Sequence, residues 1–199
     1  MSRFERKQHA AYRREGGDWL IELRLREPRQ LFHHLDPAPF REKDLEPAAE
    51  AYIEDAIREL GVGEAARLVI HLPDELAASE DARALPEAVA NYFGYRARQT
   101  RVELRRLLRR ALANLLIGLS FLFACLTLRR MLQSAGAYEV LGEGLLIIGW
   151  VALWRPVEMF LYDWWPLLRR QRRFATVAHM PVDIRSDASP GHPSVTILR

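Results

Sequence analysis

One cysteine, Cys125, is all that this 199-residue chain contains. That excludes a disulfide framework and a thiol pair for zinc. The opening stretch, MSRFERKQHAAYRREGGD, has no apolar core, so nothing in it reads as a cleavable signal. No segment repeats. GVGEAA at 61–66 lacks the third glycine and the preceding strand of a dinucleotide loop, and it reads as a helix stop. A nucleophile–base pair is missing too, as is any set of side chains with metal-ligand spacing. These absences predict a protein that is not an enzyme and that takes no cofactor.

What is present is segregated. Hydrophobic residues make up 49% of the chain, yet the mean hydropathy is only −0.16, because residues 1–110 and 169–199 are charge-dense and 111–168 are mostly apolar. ALANLLIGLSFLFACLTL, 111–128, runs for 18 residues without a charge, and about 17 suffice for a spanning helix. A second run holds Arg155, Pro156 and Glu158. Stopped at Trp154, it offers only the 11 residues from Gly144, too few to cross about 30 Å of hydrocarbon. Continued to Trp165, it has 22, which is enough. The reading is therefore a transmembrane hairpin over 111–168, with spans at about 111–128 and 144–165. A soluble domain of this size would struggle to cover two such helices.

Arginines set the expected orientation. Five lie at 101–110 and four at 169–173, against Arg129 and Arg130 in the connection. The positive-inside rule then puts both termini in the cytoplasm. Tyr162, Trp164 and Trp165 form an aromatic belt just before the second arginine block. Arg105, Arg106, Arg109 and Arg110 on one side, and Arg169, Arg170, Arg172 and Arg173 on the other, are expected to contact anionic lipid headgroups rather than nucleic acid.

Helical spacing aligns Arg155, Glu158 and Tyr162 on one stripe, so the first two can neutralise each other inside the membrane. Laying the spans antiparallel with Arg110 opposite Arg169 brings Ser120, Phe121 and Cys125 level with that pair, and Asn114 near Asp163. Asn114, Gly118, Phe121 and Cys125 recur at helical spacing and predict a packing seam, facing a second span that carries Tyr162 and Asp163. Two readings follow. The charges staple the hairpin or join it to a neighbouring copy. Alternatively, Arg155, Glu158 and Asp163 serve an oligomeric channel or transporter. A single polar stripe favours the staple.

Outside the membrane the pattern predicts an α+β fold, after a polar tail over 1–18. WLIELRL (19–25) alternates like a half-buried strand. In DLEPAAEAYIEDAIRELG, Pro47 suits the first turn of a helix and Gly61 its end, with Leu45, Ala49, Tyr52, Ile53, Ala56, Ile57 and Leu60 on one face. RLVIHLP (67–73) is a second strand. The domain is expected over 19–85, followed by a connecting helix opened by Pro86 over 86–110 that runs into the first span and would couple domain and membrane rigidly. PVDIR (181–185) and SVTIL (194–198), within a C-terminal segment of 169–199, are further strands that can join the same sheet. His33, His34 and Asp36 invite a metal reading. Neighbouring histidines in an extended segment point opposite ways, so the expectation is turns around Asp36, with Phe40 pinning the loop.

LDPAPFREKDLEPAAEAYI, RLVIHLP, the YFGYRA…RRLLRR helix and GWVALWRPVEMFLYDWWPL together resemble a family of uncharacterised bacterial two-pass membrane proteins. The resemblance covers most of 19–185 and implies a bacterial inner-membrane location; it brings no activity with it. The combined expectation is a two-pass protein with a cytoplasmic docking or assembly module, joined to itself as a homo-oligomer or to a protein partner.

Overall fold

The structure, a computed structural model, describes residues 12–134 and 139–187. The chain is mixed α+β, with a four-stranded sheet and long helices. It divides into two compact units, Met1–Arg98 with Gln171–Arg199 and Gln99–Arg170.

The first unit is built on the sheet. β1 (Arg13–Glu15) and β2 (Asp18–Arg24) form an antiparallel hairpin. Its two-residue loop is Gly16-Gly17, both at positive φ (61° and 101°), the geometry that matches strand twist and that glycine adopts without strain. Residues 13–18, expected in a polar tail, are therefore part of the sheet. Helix α1 (Pro47–Leu60) then crosses to β3 (Ala66–Leu72), which lies parallel to β2. Pro47 occupies the first turn, where its missing N–H costs nothing, and Gly61 closes the helix at φ 98°. β4 (Val182–Ser186) pairs parallel with β3, giving the order β1-β2-β3-β4. SVTIL lies outside the described residues.

Alternation decides which face is the core. Ile21, Leu23, Leu68, Ile70 and Leu72 meet Ala49, Ile53, Ile57 and Leu60 of α1. The opposite face buries Leu20 and Val69 beside charged groups: Arg67 bridges Asp18 (3.0 Å) and Asp183 (2.8 Å), and Arg185 reaches Glu15 (2.9 Å).

Helix α2 runs from Glu80 to Ser134. It starts six residues before Pro86, because the Ala82 N–H donates to the Ser79 hydroxyl (3.1 Å) and Glu80 and Asp81 favour the positive end of the helix. Ala82, Leu85, Ala88, Val89, Tyr92 and Phe93 enter the core. What reads as the beginning of a connector is thus domain interior, buried because apolar residues recur at three- and four-residue spacing.

The second unit is helical. It contains the later part of α2, then α3 (Glu139–Glu158), a π turn (Met159–Asp163) and the first part of α4 (Trp164–Ala178). From Glu139 to Ala178 the helical run is unbroken, despite Arg155, Pro156 and Glu158. The stretches Glu80–Leu132 and Leu141–Ala178 are each long and apolar enough to cross a membrane, and only 17% of the most apolar window of each is buried inside the chain. That low coverage distinguishes them from the core helices of a soluble protein.

Candidate functional site

In the second unit α2 and α3 pack through small residues. Ala111, Gly118 and Cys125 are buried on one helix, and Gly142, Gly149 and Pro156 on the other. Each set repeats every seven residues, as a seam between two long helices requires. A Cβ on Gly118 would stand 3.1 Å from Leu153 and 3.3 Å from the carbonyl oxygen of Ala152. That carbonyl is the one Pro156 leaves without its helical donor. The Gly118 position therefore lets the freed oxygen sit against the neighbouring helix. A Cβ on Gly149 would come 2.7 Å from Leu122 and 3.5 Å from Cys125.

These contacts fix the helix register. Gly118 faces Ala152–Pro156, Gly142 faces Arg129, and the Asn114 amide donates to the Met159 sulfur at 3.7 Å. Carried four residues further, Arg110 stands level with Asp163, not with Arg169. The expected alignment of Ser120, Phe121 and Cys125 with the charged pair gives way accordingly: Gly118 occupies that level. Close glycine packing sets the offset, whereas matching arginine blocks does not. Phe121 and Asn114 are exposed, the latter reaching the second helix through its amide. Ser120 and Thr127 donate to the carbonyls four residues back, at 2.9 and 2.8 Å, so their hydroxyls are satisfied within their own helix.

Arg155 is the hub of the charges. Its guanidinium donates to Glu158 at 3.0 Å and lies 3.7 Å from Asp163. The second carboxylate is within reach because of the π turn. Residues eight apart in an α-helix are about 80° out of phase, and the extra residue of a π turn swings Asp163 back beneath Arg155. Tyr162, the expected stripe member, points outward and is exposed. The turn's free carbonyl at Phe160 accepts from the Trp164 indole at 2.7 Å. Arg155 remains 67% exposed and Glu158 43%. Trp150, Val151, Trp154 and Arg155 bound a shallow groove of about 290 Å³ beside them.

The arginine blocks divide. Arg105, Arg106, Arg109, Arg110 and Arg172 are exposed, and Arg169 lies over the Trp165 ring at 5.0 Å. Arg170 is half-buried. Arg173, expected at headgroups, is instead held by Glu54 of α1 at 2.8 Å and is 16% exposed, because it lies on the α4 face that also sends Phe174 and Val177 into the core. One turn earlier on α1, Glu50 accepts from Arg96 (2.6 Å) and from the Tyr92 hydroxyl (2.8 Å). Burial, reinforced by that bond to Glu50, pushes the Tyr92 phenol well above its ordinary value.

His33 and His34 stack at 5.5 Å with planes 17° apart, rather than pointing opposite ways; the chain turns at His34, so the strand rule does not apply. Asp36 is engaged by the backbone of its own loop. Its carboxylate accepts from the N–H groups of Ala38 (2.9 Å) and Asp44 (2.8 Å), and those bonds hold its pKa below the ordinary range. Phe32 and Phe40 meet edge to face at 4.8 Å and close the loop. With Arg29 and Lys43 they border a groove of about 430 Å³ beside the histidines. Among the described residues no three His, Cys, Asp or Glu side chains are placed to hold a metal ion. Comparison of the chain with protein-family models, with curated proteins and with solved structures finds no match.

Proposed function

We propose that this chain is a two-pass protein of the bacterial inner membrane, with both termini cytoplasmic, whose α+β unit is a docking or assembly module rather than an enzyme. The observation that carries the membrane reading is the pair of long apolar helices with outer faces left uncovered by the chain. The cytoplasmic side follows from the arginine distribution, and the bacterial inner membrane from the resemblance described above. Support for a non-catalytic module comes from how its charges are used: Glu50, Glu54, Asp18, Asp183 and Asp36 are all engaged in internal pairs or turns. The arginines at 105–110, with Arg169 and Arg172, are exposed, which supports a role in meeting anionic headgroups.

Cysteine accessibility tests the orientation. Native Cys125 is buried in the hairpin seam. In intact cells an impermeant maleimide is expected to modify Ser134→Cys but not Leu35→Cys, whose position is 75% exposed; permeabilisation should make the latter react. Labelling of Leu35→Cys in intact cells reverses the topology. The π turn that gathers three charges favours a second reading, a channel or transporter subunit. Conductance of the reconstituted protein that changes on Glu158→Gln would select it.

A further inference from the structure

The connection from β2 to α1, residues 25–46, is far longer than the usual strand-to-helix loop of about two to six residues. Connections of that length usually carry function. This one holds its shape through its own bonds. The His33 N–H donates to the Asp44 carbonyl (2.8 Å) and the Glu46 N–H to that of Leu31 (2.9 Å), while Asp36 ties the turn between them. Phe32 is buried and packs edge to face with Phe40. The groove of about 430 Å³ that results is walled by segments following the carboxyl ends of two parallel strands. One is the loop after β2; the other, through Asp81, is the start of α2 after β3. Open parallel sheets receive ligands beyond the carboxyl ends of their strands, and the volume suits a small molecule.

The polar lining of the groove is rich in donors. Lys43 makes no ion pair among the described residues, and neither imidazole of the His33–His34 stack makes a hydrogen bond among them. The acid on the groove, Asp81, is engaged by Arg29, whose Nε donates to it at 3.2 Å. That bond holds the guanidinium by one nitrogen and leaves its two terminal nitrogens open to a ligand. An arginine fork, an ammonium and imidazole N–H groups together match the three terminal oxygens of a phosphate monoester. A carboxylate, with two oxygens, would leave part of this donor set unused. We propose that the groove binds a small phosphate monoester, with Arg29 and Lys43 gripping the phosphate and the Phe40 ring meeting an apolar group on the ester oxygen. The site lies wholly within the α+β unit, so it stands or falls apart from the membrane reading.

Isothermal titration of the full chain in neutral-detergent micelles tests the site, with phenyl phosphate as the probe. Phenyl phosphate is expected to bind about tenfold more tightly than benzoate, which lacks the third oxygen, or inorganic phosphate, which lacks the ring. Lys43→Ala and Arg29→Ala should each weaken it about tenfold, the scale of one hydrogen bond to a charged group. Lys43 takes no part in the bonds that shape the loop, so its replacement reads the ligand contact and not the fold. Arg13→Ala, which removes an exposed cation on β1, should leave the affinity unchanged. Phosphatidic acid added to the micelles separates two sources of the phosphate: competition with phenyl phosphate supports a lipid headgroup as the occupant, and no competition supports a soluble ester. No binding of phenyl phosphate, equal binding of benzoate, unchanged affinity in Lys43→Ala, or an equal loss in Arg13→Ala overturns the proposal.

Discussion

Removing Glu158 probes the charged hub most directly, because Arg155 has two acids and they are unequally placed. Glu158 is at 3.0 Å, a full hydrogen bond, and Asp163 at 3.7 Å, beyond hydrogen-bonding distance. Polar contacts between side chains in a membrane average about 0.6 kcal/mol and reach about 1.7. Glu158→Ala should therefore cost about 1 kcal/mol, since Asp163 remains to draw the guanidinium. Asp163→Ala should cost about 0.5 kcal/mol for the longer contact. On the proposed membrane-spanning reading, removing both leaves a lone cation inside the span, worth about 2.5–3.5 kcal/mol, clearly more than the two singles together. Adding Arg155→Leu to that double variant should return most of the loss, because a buried charge is costly chiefly when its partners are gone. Unfolding in mixed micelles at increasing sodium dodecyl sulfate, followed by circular dichroism, measures all four variants against the parent. Single losses that sum to the double, or no recovery with Arg155→Leu, would mean that the three charges do not act as one group.

Two further predictions concern the other structural claims. Gly118→Leu should destabilise the hairpin by about 1–3 kcal/mol, the range for overpacking, because its Cβ meets a backbone oxygen at 3.3 Å that cannot retreat; Gly144→Leu, with nothing within 4 Å, is the control and should cost little in the same unfolding assay. Burial and the bond to Glu50 raise the Tyr92 phenol above its unfolded value of 10.0, so its contribution is fully present below about pH 10 and is lost as pH rises through the folded value. The melting temperature should accordingly fall above pH 10, with a shallower fall in Tyr92→Phe; an equal slope in both proteins would remove Tyr92 from the account.

Local elements were readable because each carries its signal within a few residues. Alternation at 19–25 marks β2, and Pro47, Gly61 and a single apolar face mark α1. Other features depend on contacts that no local window contains. β4 lies beside β3 through pairs such as Leu68 with Val182, more than a hundred residues apart. The Gly16-Gly17 hairpin is hidden among arginines and glutamates, where low hydropathy suggests a tail; the double glycine was its one visible sign. Pro86 does not mark the start of its helix. Proline is favoured in the first turn of a helix, yet here Ser79 caps an earlier start, and the spacing of Ala82, Leu85 and Val89 records it.

The charged site divides along the same line. That Arg155 and Glu158 share a face follows from helical spacing alone. Which third group joins them does not, because the phase of Asp163 depends on one extra residue accommodated at 159–163. Pro156 and the π turn act in sequence: the proline removes a donor, Gly118 receives the stranded carbonyl, and the extra residue a few positions later rotates the remainder of the helix. Without the π turn Tyr162 would stay on the Arg155 stripe and Asp163 would face elsewhere. With it, an aromatic side chain turns outward and a second acid reaches the arginine. The offset between the helices likewise comes from glycines too small to announce themselves in a hydropathy profile. Gly118 and Gly149 permit contacts that larger residues would forbid, and those contacts bring Asp163 level with Arg110, at the edge of the apolar stretch. The three charges therefore form a ladder descending from that edge, with Arg155 deepest and its guanidinium drawn back toward both acids. On the membrane-spanning reading proposed above, a ladder of this kind lets the arginine sit within the span while its charged end is directed toward the arginine-rich end of the helices.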